Sequence, residues 1–432
     1  RSTLFPYTTL FRSLAEPLFA EVRNFLLYDV YSPEGGVNEN IFAYSNRVGD
    51  EKALFVYNNA FTRAKGWIKV SAGYLLDGEI RQSTLLEGLG LGAPDDGYIV
   101  FRDHASGLEF IRSAKQLSSE GLFLSLDGYR YNLFLNFRQV RPSKLLPYDR
   151  LCEELNGKGV FGIEHAALLM SLAPLHRLIT EFLDLAALSG QKNGKDEKAF
   201  GRQISKLVEE VADIYGNLVD KELAISDTLA DEAISRCRLA EQIVEENATA
   251  GSFDPLLVTH WIVFDALQQL LAANEMLKTN LVDDWLMHET LQRYYAKKGR
   301  DGIAGGSVAD LFSCMLSAQE PRQGTDKETW MLDSLARLRE ICRYAMERLL
   351  QIEYLHEKTW FRAEGFSTLT SWLGLVLQLK AQGTEHEHPV TPSWTRDFDM
   401  EAFLSGYELG TLLSRQTRKQ LIRDKEQLAE HP

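Results

Sequence analysis

Residues 122–137 read LFLSLDGYRYNLFLNF, and this stretch decides the fold of the first part of the chain. Two apolar runs, 122–126 and 129–137, flank Asp127-Gly128. Asp-Gly often closes a two-residue hairpin because both of its positions accept positive φ angles. In the second run, positions 129, 131, 133, 135 and 137 are all aromatic or leucine, which is the alternation of a strand with one apolar face. The stretch therefore predicts a pair of antiparallel strands.

Strand signals of the same kind extend upstream to residue 41. Short apolar and aromatic runs at 41–45 and 53–57 flank a turn at 46–50, which predicts a hairpin. Further runs follow, punctuated by Asp77-Gly78 and Asp96-Gly97, at 67–76, 80–86, 98–102 and 108–112. Short strands at this spacing favour an antiparallel sandwich, here over residues 38–142.

After Pro142 the apolar period becomes helical. Between Phe200 and Leu218 apolar residues recur every three or four positions, with acidic residues on the other side, as in an amphipathic helix. Similar patterns cover 256–277, 330–354 and 400–413. The predicted fold is therefore a multidomain α and β protein, with an antiparallel β-sandwich followed by a large all-α helical domain over residues 143–432.

Composition restricts the class of partner. The 432 residues carry a formal net charge of -14, which argues against nucleic acid because phosphate binding needs clustered Lys and Arg. No apolar run reaches the ~20 residues of a membrane span, so we expect no membrane partner.

The cysteines and histidines give no metal signature. The four cysteines, Cys152, Cys237, Cys314 and Cys342, lie far apart and form no CxxC pair, so we expect free thiols in a reducing, cytoplasmic compartment. The pair His386 and His388 lacks an evident third ligand. We expect no metal and no cofactor.

The first residues match something other than a protein domain. Leu4–Ser13 read LFPYTTLFRS, the translation of a common short-read sequencing adapter. We therefore expect residues 1–13 to be adapter-derived and exclude them from fold reasoning.

Several short sequence segments in the strand region resemble those of a known protein family. They are VNENIFAYSNR at 37–47, ALFVYNN at 53–59, GWIK at 66–69, FRDH at 101–104 and LNGKGV at 155–160. Together they resemble the region that follows the barrel in large bacterial α-amylase-type enzymes of glycoside hydrolase family 13. The resemblance covers residue 14 to roughly residue 183.

The resemblance implies a role for the chain. Residues 14–37 are similar to the end of a catalytic barrel and its linker, with a helix over 14–28, and the missing barrel would be the partner in cis. Glycoside hydrolysis needs paired carboxylates, and none of the family's catalytic strand motifs occurs here. We therefore expect a non-catalytic accessory region of an enzyme acting on α-glucans. The alternative is a stand-alone binding or scaffold protein without enzymatic activity.

Aromatic residues are the first candidates for a substrate-binding site. Tyr44, Tyr57, Trp67 and Tyr74 could stack on the faces of glucan rings, although strand alternation should bury about half of such residues in the core.

Two pairs of adjacent residues complete the candidates. Asp103-His104 is the most enzyme-like pair in the strand region, but Ser106-Gly107 follows it and favours a turn in which Asp103 bonds nearby backbone. Asp283-Asp284 reads as solvated charges or helix caps.

Overall fold

A computed structural model of the chain describes residues 18, 24–92, 94, 96–188, 194–246, 253–300, 302–303, 305–318, 327–351, 353–355, 358–360 and 363–380. The chain divides into two compact units, residues 1–172 and 173–432. The protein is a mixed α and β protein, as predicted.

The first unit is built on an antiparallel sheet. Its strands are β1 (Leu26–Tyr31), β2 (Ile41–Val48), β3 (Glu51–Asn58), β4 (Ala64–Ser71), β5 (Tyr74–Leu76), β6 (Glu79–Arg81), β7 (Tyr98–Asp103), β8 (Glu109–Ser113), β9 (Leu122–Leu126) and β10 (Tyr131–Val140). Its helices are α1 (Leu85–Gly88), α2 (Ala114–Ser119) and α3 (Tyr148–Leu155), and α4 (Ile163–Leu188) begins in this unit.

Eight strands form one continuous, curled sheet in the order β8-β7-β10-β3-β2-β1-β4-β9. The sequence predicted a sandwich, which has two sheets. The structure has one sheet instead, because β1 pairs with both β2 and β4 and so joins the two groups of strands. Side chains on the inner face, with α1 and α2, make one core that includes Tyr28, Leu54 and Phe101.

Two predicted hairpins are confirmed. β2 and β3 pair from Ile41↔Asn58 to Val48↔Glu51, so the turn is tighter than the sequence suggested. Asp77 and Gly78 connect β5 to β6 with φ angles of 51° and 83°, the positive values that a two-residue hairpin requires.

The hairpin predicted at Asp127-Gly128 is wrong. β9 pairs with β4 at one edge of the sheet, whereas β10 lies between β7 and β3. Gly128 instead lies against a neighbouring loop, since a Cβ placed there would lie 1.9 Å from the Phe61 carbonyl oxygen. The Asp-Gly dipeptide indicates only a local turn. Which strands pair depends on contacts with distant parts of the chain.

The apolar alternation predicted for residues 129–137 is also only partly correct. The register of β10 against β7 shifts between Leu135 and Arg138, and Asn136 has a φ of 55°. This irregularity moves Phe137 into the inner core beside Phe134, where it is 8% exposed.

The helix predicted over 14–28 is corrected at its end, because Leu26–Tyr28 belong to β1. Most of that segment, and all of residues 1–13, lie outside the described residues. Leu18 is described and is 3% exposed, packed against Ala53 and Leu133 on the outer face of the sheet.

The first unit extends past Pro142, where the sequence placed a domain boundary. Tyr148 and Leu151 of α3, with Ile163 and Ala167 of α4, pack against Val100 and Ile111 in a second apolar cluster.

The described part of the second unit is mainly helical. It contains the end of α4 and α5 (Gly194–Val219), α6 (Leu229–Glu246), α7 (Pro255–Ala273), α8 (Leu281–Asp284), α9 (His288–Ala296), α10 (Val308–Ser317), α11 (Lys327–Ile341), α12 (Arg343–Leu349) and α13 (Ala363–Lys380). It also contains a hairpin of β11 (Glu353–Leu355) and β12 (Lys358–Trp360), so it is not all-α as predicted. The helix predicted over 330–354 is interrupted at Cys342, whose ψ of 36° separates α11 from α12.

Two described helices have the length and hydropathy of a membrane span, Ile163–Leu185 and Pro255–Ala273. Of their most apolar windows, 44% and 67% are buried inside the protein, and core helices of soluble proteins pass the same test. The helix 400–413 predicted from sequence lies outside the described residues.

Candidate functional site

The second unit contains an open cleft of about 640 Å³. It lies where α9 begins, beside the loop that leads into α10 and the last turn of α12. The lining residues are His288, Glu289, Gln292, Gly302, Gly305, Gly306, Ser307, Asp310 and Arg348.

The start of α10 supplies a fixed carboxylate. Ser307 and Asp310 form a capping box: Asp310 Oδ2 accepts from the Ser307 backbone N–H (2.9 Å) and hydroxyl (2.8 Å), and Ser307 Oγ accepts from the Asp310 N–H. Asp310 Oδ1 accepts from Arg348 Nε at 2.9 Å and Nη2 at 2.5 Å. The bond to Asp310 is the main reason that the pKa of Arg348 is raised. Asp310 is thus held on both oxygens.

His288 lies between two carboxylates. Its Nε2 is 2.6 Å from Asp283 Oδ1, and its Nδ1 is 3.7 Å from Asp310 Oδ1. Asp283 Oδ2 in turn accepts from Asn280 Nδ2 (2.7 Å) and Ser313 Oγ (3.0 Å). Burial raises the pKa of Asp283, but the bonds from His288, Asn280 and Ser313 outweigh it, so the pKa is lowered overall and the carboxylate is ionised at neutral pH.

This arrangement places a proton on Nε2 of His288, because an ionised Asp283 only accepts. The contact from Nδ1 to Asp310 is too long for a hydrogen bond. Nδ1 therefore has no hydrogen-bond partner among the described residues.

The cleft does not contain a nucleophile–base pair in the part of the chain that is described. The Ser307 hydroxyl donates to Asp310 as part of the helix cap. The arrangement suits hydrogen bonding to a ligand, with one ring nitrogen oriented by its carboxylate partner.

Two glycines allow the cleft loop to pack closely. Ile303 and Gly306 exchange two backbone hydrogen bonds of 2.9 Å, which closes the loop. Gly305 has a φ of +100°, and a Cβ there would lie 1.5 Å from Gln351 Nε2. A Cβ on Gly306 would lie 2.8 Å from a Leu349 methyl group. Gly306 therefore does not accept a larger residue without movement of α12, and the positive φ of Gly305 favours glycine there.

No group of three or more His, Cys, Asp or Glu side chains within the described ranges is arranged to hold a metal ion. The candidate pair His386 and His388 lies outside those ranges.

Asp103 and His104 occupy the turn after β7. Asp103 is 3% exposed, and its Oδ2 accepts from the Ser106 backbone N–H (3.0 Å) and hydroxyl (2.7 Å). His104 is exposed, and its backbone N–H donates to Leu133. Asp103 therefore makes the turn bonds that the sequence favoured.

The aromatic candidates are not gathered in one place. Trp67 is half-buried on the outer face of the sheet, with its ring centroid 4.7 Å from that of Phe123 on β9. Tyr74 belongs to the β5–β6 hairpin, and its hydroxyl lies 2.7 Å from Ser83 Oγ. Tyr44 and Tyr57 are half-buried on β2 and β3.

The outer face of the sheet carries a row of aromatic rings. Consecutive ring centroids from Phe25 to Tyr44, Phe55 and Tyr131 lie 5.2, 5.0 and 5.9 Å apart. Strand pairing aligns this row, because Tyr44 is opposite Phe55 across β2 and β3. Side chains of the other parity point into the core.

Sequence reasoning missed the residues of the cleft. Asp283 was interpreted as a solvated charge or cap, and His288 and Arg348 were not considered. The Ser307-x-x-Asp310 spacing ahead of an apolar run was a readable capping signal. No protein family, curated protein or solved structure matches the chain.

Proposed function

We propose that the chain is a non-catalytic accessory region of an α-amylase-type glycoside hydrolase that acts on α-glucans. The proposal starts from the family resemblance of the short segments between residues 37 and 160, all of which lie in the first unit. In this proposal the curled sheet corresponds to the sandwich that follows the barrel, and the helical unit is a tail that such enzymes carry.

The observation that supports the proposal best is the outer face of the sheet. Leu27 on β1, Phe42 on β2 and Phe123 on β9 are 54%, 52% and 43% exposed, beside the half-buried aromatic row. Single exposed apolar residues are ordinary, but several on one face of a sheet are typical of an interaction site. In an accessory domain this face packs on the catalytic domain or contacts the glucan.

The Trp67–Phe123 pair is the part of this face best suited to a sugar ring. Their ring centroids are 4.7 Å apart, and the two ring planes are tilted by 53° to each other. The apolar CH groups of a glucosyl ring can contact such a surface. We also propose a reducing, cytoplasmic compartment, because all four cysteines are free.

Affinity electrophoresis through a gel containing soluble starch tests the proposal. The wild-type chain should be retarded, and Trp67→Ala and Phe123→Ala should remove the retardation. Phe61→Ala is a matched control, because Phe61 is 84% exposed but lies in a loop outside the row. Unretarded wild-type protein, or equal retardation of the Trp67 and Phe61 variants, would refute a glucan-contacting face.

One observation favours the alternative of a stand-alone binding or scaffold protein. Leu18 covers part of the outer face by packing on Ala53 and Leu133, and its carbonyl oxygen accepts from the buried Asn46 amide. The face is thus partly covered by this chain itself. Light scattering distinguishes the two: the accessory reading expects self-association of the isolated chain, and the alternative expects a monomer.

A further inference from the structure

We propose that the cleft in the helical unit binds a small, uncharged, polyhydroxylated ligand, with the chemistry of a mono- or disaccharide. This site is separate from the outer sheet face, and its argument does not depend on the proposed function. It rests on the size of the cleft, its charge balance and the hydrogen-bonding groups that line it.

The size of the cleft and its paired charges suit a small, uncharged ligand. A volume of about 640 Å³ lies within the ~300–1,000 Å³ typical of small-molecule sites. Arg348 is paired with Asp310, Arg293 is paired with Glu289, and Asp283 is bonded to His288. The positive groups are already paired with carboxylates, which removes the main attraction for an anionic ligand.

The cleft offers both donors and acceptors. His288 Nδ1 is held in place by the bond of Nε2 to Asp283 and has no hydrogen-bond partner among the described residues. Arg348 Nη1 donates to no other described residue, and the exposed amide of Gln292 offers a donor and an acceptor without a partner among the described residues. Hydroxyl groups both donate and accept, so adjacent hydroxyls match this mixture of groups better than an ion of one sign does.

The supporting network makes the site rigid. Asp283 is held by Asn280 and Ser313, and Asp310 by Ser307 and Arg348, so the groups that orient His288 are themselves fixed. A ligand that finds its partners already oriented loses less free energy on ordering them.

A ligand-observed NMR titration of the full chain with maltose tests the proposal. We expect a millimolar Kd, which Gln292→Ala and His288→Ala each weaken at least tenfold. Gln292 is exposed and structurally unpartnered, so its variant should fold even where loss of His288 disturbs Asp283. Gln203→Ala and His165→Ala are exposed matched controls and should leave the Kd unchanged.

Three results would overturn the assignment. They are absence of maltose and glucose binding at any soluble concentration, tighter binding of sulfate than of maltose, and an unchanged Kd in Gln292→Ala. Trp67→Ala separates this site from the sheet face: maltose binding lost in that variant but kept in Gln292→Ala places the saccharide on the sheet and refutes the cleft. Binding lost only in the cleft variants supports the cleft whatever the starch gel shows.

Discussion

Acidification from pH 6.5 to pH 4 should destabilise the helical unit through His260. This residue is fully buried in α7, with Nε2 3.1 Å from the Leu183 carbonyl oxygen and Nδ1 2.7 Å from the Tyr295 hydroxyl. The carbonyl oxygen only accepts, so Nε2 carries the proton and Nδ1 accepts from Tyr295. Protonation of Nδ1 would remove that acceptor and place a charge in an apolar core.

The size of the effect follows from the pKa. Burial, opposed by the Leu183 hydrogen bond, lowers the pKa of His260 from 6.5 to about 4. Below pH 6.5 the unfolded chain takes up a proton that the folded chain refuses until about pH 4. The stabilisation is therefore present above pH 6.5 and is lost as the pH falls. At about 1.4 kcal/mol per pKa unit, the loss approaches ~3 kcal/mol at pH 4.

Urea unfolding followed by tryptophan fluorescence at several pH values measures this loss, because Trp261 and Trp285 are buried in the same unit. His260→Gln should lower stability at pH 7 and flatten the dependence between pH 6.5 and 4. Some slope should remain, because burial also lowers the pKa of His176. His165→Gln, at an exposed position, is the control. Equal slopes for wild type and His260→Gln would refute the assignment of proton-linked stability to His260.

Three further outcomes are expected. Asp265→Ala should cost roughly 3–5 kcal/mol, measured by calorimetry, because Asp265 is 1% exposed and pairs with Arg236 Nη1 at 2.6 Å and Lys380 Nζ at 3.4 Å; an unchanged melting temperature would contradict this. Gly128→Ala should lower the melting temperature of the first unit, since its Cβ would strike the Phe61 carbonyl oxygen, while Gly49→Ala, at an open turn, should lower it less. The purified chain should release no sugar from starch or nitrophenyl α-glucosides, and turnover that persists through purification would reveal an overlooked catalytic site.

The spacing of apolar residues predicted those strands and helices whose pattern lies within a single element. The strands near 41–48, 51–58 and 98–103 were placed within a few residues, and the helical stripe that starts at Phe200 corresponds to α5. These segments succeed because alternation and helical spacing act within one element. The Asp77-Gly78 hairpin succeeded for the same reason, since its two strands are adjacent in sequence.

The order of the strands could not be predicted in the same way. β10 inserts between β7 and β3, and β9 crosses to the far edge beside β4, although Asp127-Gly128 separates the two strands by only a short turn. Which edge a strand joins depends on the surface that it buries with distant residues, and that information is spread over the whole sheet.

The cleft escaped prediction because four short elements contribute to it. Asp283 lies in α8, His288 begins α9, Asp310 lies in the first turn of α10 and Arg348 in the last turn of α12. Only the capping box has a fixed sequence spacing. The His288–Asp283 pair is five residues apart across a break between helices, a spacing that no regular helix brings face to face.

Leu18 has the greatest bearing on the function. If the outer sheet face were built only to meet another domain, residues before β1 would not be expected to bury themselves on it. Leu18 is nonetheless 3% exposed there, and the amide of the buried Asn46 side chain donates a hydrogen bond to the Leu18 carbonyl oxygen. Part of the face, at Ala53 and Leu133, is thus closed by the chain itself. The part that remains open, at Phe42, Trp67 and Phe123, is the surface on which the proposed accessory role depends.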